Sequence, residues 1–190
     1  MSIVITSNVQ YASASTTPFH DTTLWSGKLA NIVAAMNSLS NSGDVVRNVV
    51  VSNDRLTCTW SATFRDFQAL SSFQTIKEPY YDHVYRNEYT SGNVVSFSTS
   101  INGITQPFTE TIVFSFPTEN DALQVELRTF LESQENLTTV SNTSTSITAV
   151  YSYSGQDQYN TATGDSVSIA IPLLAELVAA GVTRTRTFTA

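Results

Sequence analysis

Apolar or long side chains alternate strictly with hydroxyl side chains in two segments of this chain, residues 56–64 and residues 183–189. The first segment runs from Leu56 to Phe64 with Thr or Ser at every second position, and the second is Thr-Arg-Thr-Arg-Thr-Phe-Thr. Successive side chains of a strand point to opposite faces, so a period of two predicts a strand with one hydroxyl face. We therefore expect a sheet-rich fold in which each sheet buries a single face.

Hydroxyl residues replace charged residues over much of the chain. The 190 residues include 25 Ser and 27 Thr, against 9 basic and 16 acidic residues. The 20 aromatic residues (2 Trp, 8 Tyr and 10 Phe) exclude a disordered polar chain, which would lack them. The net charge of −7 with no basic segment argues against direct nucleic-acid binding.

Neither a membrane span nor a disulfide is expected. The longest apolar run, residues 169–182, is interrupted by Pro172 and Glu176 and is too short to cross a bilayer. Cys58 is the single cysteine, so no disulfide can form within the chain. The start of the sequence lacks the basic and apolar regions of a signal peptide, which predicts synthesis in the cytosol without classical secretion.

The order of elements predicts an α+β fold with an antiparallel sheet and two or three helices on one face. Between residues 55 and 153 the periodicity gives the ferredoxin-like order βαββαβ. Asn102-Gly103 predicts a tight hairpin within this unit, and residues 136–144 and 154–165 are predicted as polar loops. A short strand is expected at 166–171, and helices at 23–39, 66–76, 119–134 and 172–180.

Three regions follow from this pattern. Residues 1–22 are predicted to form an extended N-terminal arm, residues 23–182 a single α+β domain, and residues 183–190 a C-terminal β tail.

The termini are the candidate interface. Ile3, Val4 and Ile5 are β-formers at an otherwise polar terminus, and the tail presents a strand that nothing follows. Unpaired strand edges can add to the sheet of another subunit, although pairing within the chain's own sheets is an equal alternative. The tail residues in this prediction are Arg184, Arg186 and Phe188, and the two arginines are also a possible complement to the acidic helix face of a neighbouring copy.

A second candidate site lies in the tyrosine-rich segment 80–89. His83, Tyr85 and Arg86 could line a pocket in which His83 transfers protons, although an aromatic strand face packed in the core explains the pattern more simply. Cys58 alternates with apolar neighbours and is expected in the core. The acidic and amide residues Asp157, Asn160 and Asp165 do not match a calcium loop. No metal or cofactor site is predicted.

The low lysine content, the hydroxyl-rich composition, the single cysteine and the missing signal together resemble structural proteins of virus particles, in particular tailed phages. That resemblance implies a non-enzymatic minor capsid, neck or tail subunit, made in the host cytoplasm and located in the virion. Its partners would be copies of itself and other assembly subunits. Two alternatives stay open: a ferredoxin-like small enzyme or ligand-binding protein, and an adhesin or carbohydrate-binding module.

Overall fold

A computed structural model describes residues 2–14, 37–38, 43, 45–74, 94–164 and 166–190. These residues form eight strands and four helices. The strands are β1 (Ile3–Tyr11), β2 (Val45–Val51), β3 (Thr57–Phe64), β4 (Val94–Asn102), β5 (Phe108–Ser115), β6 (Leu137–Thr143), β7 (Ser146–Tyr153) and β8 (Thr183–Thr189). The helices are α1 (67–74), α2 (Asp121–Glu132), α3 (Gln156–Gly164) and α4 (Ser166–Ala179).

The strands form two four-stranded antiparallel sheets with the same internal order. The first sheet has the order β2-β3-β1-β4, and the second has the order β6-β7-β5-β8. In both sheets the first strand of the unit lies between its third and fourth strands, which is the ferredoxin-like arrangement. The predicted α+β class and ferredoxin-like order are confirmed, but the predicted position over residues 55–153 is wrong. The order occurs twice, over residues 3–102 and 108–189.

The predicted hairpin at Asn102-Gly103 is wrong, because β4 and β5 belong to different sheets. Gly103 has a φ of +89°, which favours glycine, and a Cβ at this position would overlap the carbonyl oxygen of Ser2. The Asn-Gly pair therefore marks the crossing from one sheet to the other and not a tight turn within one sheet.

Both termini lie within the chain's own sheets. β1 falls inside the segment predicted as an arm and pairs with β3 on one side and β4 on the other. Alternate residues of β1 are buried from Ile3 onward, so apolar burial holds this strand in the sheet. β8, predicted as a tail, pairs with β5 along its whole length. Residues 15–22 of the predicted arm lie outside the described residues.

Three segments predicted from composition differ from the structure. The segment predicted as a loop at 136–144 contains β6, whose Thr and Val residues suit a strand paired with β7. The segment predicted as a loop at 154–165 contains α3. Residues 166–171, predicted as a strand, form the start of α4, which runs through Pro172.

Two predicted helices are located with small shifts. The helix predicted at 66–76 is described over 67–74, and the helix predicted at 119–134 is α2. Asn120 caps α2 by accepting a hydrogen bond from the backbone N–H of Leu123 at 3.2 Å. Of the helix predicted at 23–39, residues 37–38 are helical and the rest lies outside the described residues.

The two sheets share one hydrophobic core. It extends from Ile3 and Phe64 of the first sheet through Leu70 of α1 to Phe108 and Phe188 of the second sheet. On three strands of the second sheet, the face turned away from this core carries uncharged side chains. These are Thr109, Thr111, Val113 and Ser115 of β5, Ser146, Thr148, Val150 and Ser152 of β7, and Thr183, Thr185, Thr187 and Thr189 of β8.

We call residues 3–102 the first half and residues 108–189 the second half. Each half covers the edge strand of the other half. Asn160 of α3 binds Ile101 of β4: its Oδ1 accepts from the backbone N–H at 2.7 Å, and its Nδ2 donates to the backbone C=O at 2.9 Å. In the opposite direction, the hydroxyl of Ser71 in α1 accepts from the backbone N–H of Phe188 in β8 at 2.9 Å. We call these two contacts the Asn160 clasp and the Ser71 clasp.

Candidate functional site

Glu110 is a buried carboxylate in the middle of an apolar sheet face. It lies on β5 between Phe108 and Ile112, and its residue is 2% exposed. The other buried polar residues among those described are uncharged: Ser7, Gln74 and Gln124. Because removing a carboxylate from water is costly, a buried Glu requires a partner.

Arg186 of β8 is that partner. Its Nε donates to Oε1 of Glu110 at 2.6 Å, and its Nη2 contacts the same oxygen. Nη2 also donates to the hydroxyl oxygen of Tyr159 in α3 at 3.0 Å. The second carboxylate oxygen of Glu110 accepts from the hydroxyl of Tyr153 in β7 at 3.4 Å. We call Glu110, Arg186, Tyr153 and Tyr159 the polar network.

Aromatic rings enclose the polar network. The rings of Tyr153 and Tyr159 meet edge to face with centroids 5.0 Å apart, and Phe108 lies 5.2 Å from Tyr153. The guanidinium of Arg186 lies 5.7 Å from the ring centre of Phe188. Tyr151 stacks on Tyr153 at 6.4 Å. This apolar wall lowers the local dielectric and strengthens the ionic hydrogen bonds inside it.

The phenols of the network stay protonated at neutral pH. Burial raises the pKa of Tyr159 to about 12, against the opposing effect of Arg186. Burial, reinforced by the negative charge of Glu110, also raises the pKa values of Tyr151 and Tyr153 well above 10. The hydroxyl oxygen of Tyr159 accepts a hydrogen bond from Arg186, so the hydroxyl proton of Tyr159 points away from the guanidinium. This proton has no acceptor among the described residues.

The first half shows which side chains the same fold has at the positions equivalent to the polar network. Phe64 pairs with Ile3 at the end of β3, and Tyr153 pairs with Phe108 at the end of β7, so Ile5 and Glu110 occupy equivalent positions. The two clasps support the same equivalence, because the strand residue held by each clasp lies opposite one of these two positions. Ile101 lies opposite Ile5, and Phe188 lies opposite Glu110.

This register equates the second-half residues Glu110, Tyr151, Tyr153 and Arg186 with Ile5, Ala62, Phe64 and Thr99 of the first half. The clasps equate Tyr159 with Leu70, because each stands one residue before a clasp residue. Four of the five first-half residues are apolar, and all four are at most 3% exposed. The fifth residue, Thr99, shares a hydrogen bond of 3.0 Å with the hydroxyl of Ser7. The same fold therefore forms without a charged residue at these five positions.

The predicted interface residues are placed differently from the prediction. Ile3 and Ile5 are buried at 0% and 3% exposure, and Val4 lies on the same doubly paired strand, so they offer no edge to another subunit. Arg186 binds Glu110 of its own chain instead of the acidic face of a copy. Phe188 is buried in the core and Arg184 is half-buried on β8.

The predicted pocket of His83, Tyr85 and Arg86 lies outside the described residues. Asp157 and Asn160, considered as loop oxygen ligands, belong to α3, and Asp165 is also outside the described residues. In the part of the chain that the structure describes, no group of three His, Cys, Asp or Glu residues could hold a metal ion. The same part contains no helix long and apolar enough to span a membrane.

The sequence held a signal for the polar network that was missed. Glu110 interrupts the alternation of Phe108, Ile112 and Phe114 at an inward position, and Arg186 shares a strand face with Phe188. A charged residue at an inward position on each of two predicted strands is the pattern of a buried ion pair.

Comparison with known proteins gives similarity at the level of solved structures alone. No protein-family model matches the sequence, and no curated protein does. A provisionally assigned monooxygenase from Lactobacillus acidophilus NCFM has a TM-score of 0.34 and 11% identity, over 98% of this chain and 92% of that one. A provisionally assigned chlorite dismutase has a TM-score of 0.24 and 11% identity, over 97% and 94% of the two chains.

The aspartate kinase of Clostridium acetobutylicum is also similar, with a TM-score of 0.23 and 8% identity, over 94% of this chain and 33% of that chain. The three proteins are named for different activities, and at these TM-scores the similarity assigns none of them to this chain.

The prediction of a non-enzymatic virion subunit is wrong. That prediction relied on the terminal strands for contacts between subunits, and these strands are paired within the chain's own sheets. The resemblance to phage proteins and the virion location remain predictions. The alternative of an adhesin stays a prediction, although β6 and α3 occupy the segments that were predicted as polar loops.

Proposed function

We propose that this chain is a ferredoxin-like ligand-binding protein that holds a small molecule at the polar network. The observation that carries the proposal is the difference between the two halves. Glu110, Arg186 and Tyr159 replace Ile5, Thr99 and Leu70 at equivalent positions of the same fold. A buried ion pair is weak support for stability, since apolar residues of similar volume stabilise as well or better. A binding role accounts for the presence of the buried ion pair in the second half.

The chemistry of the network defines the class of ligand. Arg186 polarises the hydroxyl of Tyr159, so the Tyr159 proton is a strong hydrogen-bond donor without an acceptor among the described residues. Glu110 neutralises the arginine, so the donor is a neutral phenol and not a free cation. With Phe108 and Phe188 alongside, this favours a small aromatic molecule that presents a carbonyl or carboxylate oxygen.

The donation from Arg186 to Tyr159 also supports a second candidate function, an enzyme. A donor that is polarised and held in place before the reaction stabilises negative charge as it develops on a substrate oxygen. The same residues would then act as an oxyanion-stabilising pair, with Tyr159 in contact with the substrate and Arg186 behind it. Turnover of a bound aryl ketone or ester distinguishes this enzyme from a binding protein.

A thermal-shift assay with benzoate and acetophenone tests the proposal. We expect one of these probes to raise the melting temperature of the native protein, by an amount that grows with probe concentration. Tyr159→Phe removes only the hydroxyl and should abolish that rise. Tyr11→Phe removes a buried phenol on the first sheet and should leave it unchanged. Equal rises in both variants would refute binding at the polar network.

A further inference from the structure

The two clasps lie directly beside the residues of the polar network. Asn160 follows Tyr159 on α3, and its side chain binds both backbone groups of Ile101 on β4. The Ser71 clasp holds Phe188, which is two residues from Arg186 on the same face of β8. Each clasp thus connects a near neighbour of a network residue to an element of the first half.

The Asn160 clasp fixes the position of α3. Its planar amide offers one acceptor and one donor to Ile101, at 2.7 Å and 2.9 Å, and so replaces the strand that would otherwise pair there. Gln156, one turn earlier, accepts from the backbone N–H of Ile104 at 3.1 Å. The backbone N–H of Gln156 also donates to the C=O of Ile104 at 3.4 Å. Four hydrogen bonds from one helix to Ile101 and Ile104 leave α3 little freedom to slide, and Tyr159 moves with it.

The Ser71 clasp fixes β8 from its outer side. The hydroxyl oxygen of Ser71 accepts from the N–H of Phe188 at 2.9 Å, while its proton is donated to the backbone C=O of Phe67 at 2.8 Å. The C=O of Phe188 lies 3.4 Å from the same hydroxyl. The strand is therefore held between β5 and α1 at the point where the side chain of Arg186 leaves it for Glu110.

We propose that Ser71 and Asn160 are positioning residues of the polar network: through their contacts between the two halves, they set the contact between Arg186 and Tyr159. That contact spans 3.0 Å between Nη2 and the phenol oxygen, and its two partners are on elements that different clasps hold. A shift of either element of a few tenths of an ångström would weaken it, because hydrogen bonds depend steeply on length and angle. The positioning of Arg186 and Tyr159 by the clasps is independent of the proposed function, and only the effect of the clasps on ligand binding rests on it.

Fluorine NMR of protein labelled with 3-fluorotyrosine measures this positioning directly. The Tyr159 signal is assigned by its loss in Tyr159→Phe. In Ser71→Ala we expect the Tyr159 signal to move by more than its linewidth or to split. Ser71→Thr keeps the hydroxyl and should restore the native signal. Ser72→Ala, at the exposed neighbouring position of α1, is the matched control and should leave the signal unmoved.

Asn160→Leu tests the same claim from the opposite half and does not depend on the folding of Ser71→Ala. A Tyr159 signal at its native position in either clasp variant, in a folded protein by circular dichroism, would overturn the proposal. A purely structural role predicts lower stability with an unmoved signal.

Benzoate titration of the same samples separates the two proposals. If the native protein binds benzoate, the loss of one clasp hydrogen bond should weaken binding by about two- to tenfold. If the Tyr159 signal moves in the clasp variants while no probe binds the native protein, positioning is supported and the proposed function fails. If benzoate binds the native protein and the clasp variants equally and the signal stays unmoved, positioning fails and the proposed function stands.

Discussion

Glu110 and Arg186 join neighbouring strands on the buried face of the second sheet, with 2.6 Å between the carboxylate Oε1 and the guanidinium Nε. Glu110 on β5 lies opposite Phe188, and Arg186 lies two residues before it on β8, so the pair crosses the sheet diagonally. The carboxylate side chain is 2% exposed and the arginine side chain 18% exposed. The desolvation cost of this ion pair therefore falls mainly on Glu110.

Removing the arginine alone should be costly. Arg186→Met leaves Glu110 buried and unpaired, and we expect a loss of about 3–5 kcal/mol in the free energy of unfolding. The double variant Glu110→Ile with Arg186→Met should regain most of this loss, because Ile5 occupies the equivalent position of the first half without strain. Urea denaturation of both variants and of Glu110→Ile gives the coupling energy. A double variant less stable than Arg186→Met would contradict this account.

Alkaline pH should unfold the protein through its buried phenols. The pKa of Tyr159 is raised to about 12 in the folded state, whereas an unfolded tyrosine ionises near pH 10. Above pH 10 the unfolded chain therefore loses a proton that the folded chain retains, and the free energy of unfolding falls as the pH approaches 12. Tyr159→Phe should make this fall shallower in denaturant titrations monitored by tyrosinate absorbance. An identical pH slope in the variant would exclude Tyr159 as a cause.

Gly103 should tolerate a side chain less well than Gly181. Both have positive φ, +89° and +74°, so alanine meets a similar backbone penalty at each. At Gly181 the added Cβ would lie 3.5 Å from Pro117, whereas at Gly103 it would overlap the backbone of Ser2. We expect Gly181→Ala to cost about 1 kcal/mol and Gly103→Ala clearly more, measured by thermal denaturation. Equal losses would mean that the N-terminal residues move aside freely.

Cys58 should be unreactive in the native protein. It lies on the inner face of β3 with no exposed surface, so a reagent in solution does not reach its sulfur while the strand is in place. We expect a chromogenic disulfide reagent to react with it only at the rate at which the chain unfolds, and rapidly in concentrated urea. Prompt reaction of the native protein would show that β3 opens locally.

Periodicity predicted the elements that have one apolar face. The alternation at 56–64 and 183–189 correctly predicted β3 and β8, and the apolar stripe of Leu123, Leu127 and Leu131 correctly predicted α2. Composition failed where a polar segment is ordered by its neighbours: β6 is fixed by pairing with β7, and α3 is fixed by its contacts with β4. Such contacts join residues far apart in the chain and leave no local pattern.

The polar network was accessible to sequence reasoning in part. Glu110 and Arg186 each stand at an inward position of a predicted strand, and that fact required no structure. Their pairing could not be predicted, because the prediction joined β4 to β5 by a hairpin and left open whether the tail pairs within the chain's own sheets or on another subunit. Tyr159 could not be anticipated at all, because the helix that carries it was predicted as a loop.

The reciprocal clasps have a consequence for how the molecule could be divided. A cut in the connection at residues 105–107 would leave each fragment with one bare strand edge and one unused clasp. The edge of either fragment is completed by the other fragment, so the pieces should reassociate when they are expressed as separate polypeptides. The two halves therefore bind each other as the subunits of a heterodimer do, with residues 105–107 as their covalent linker.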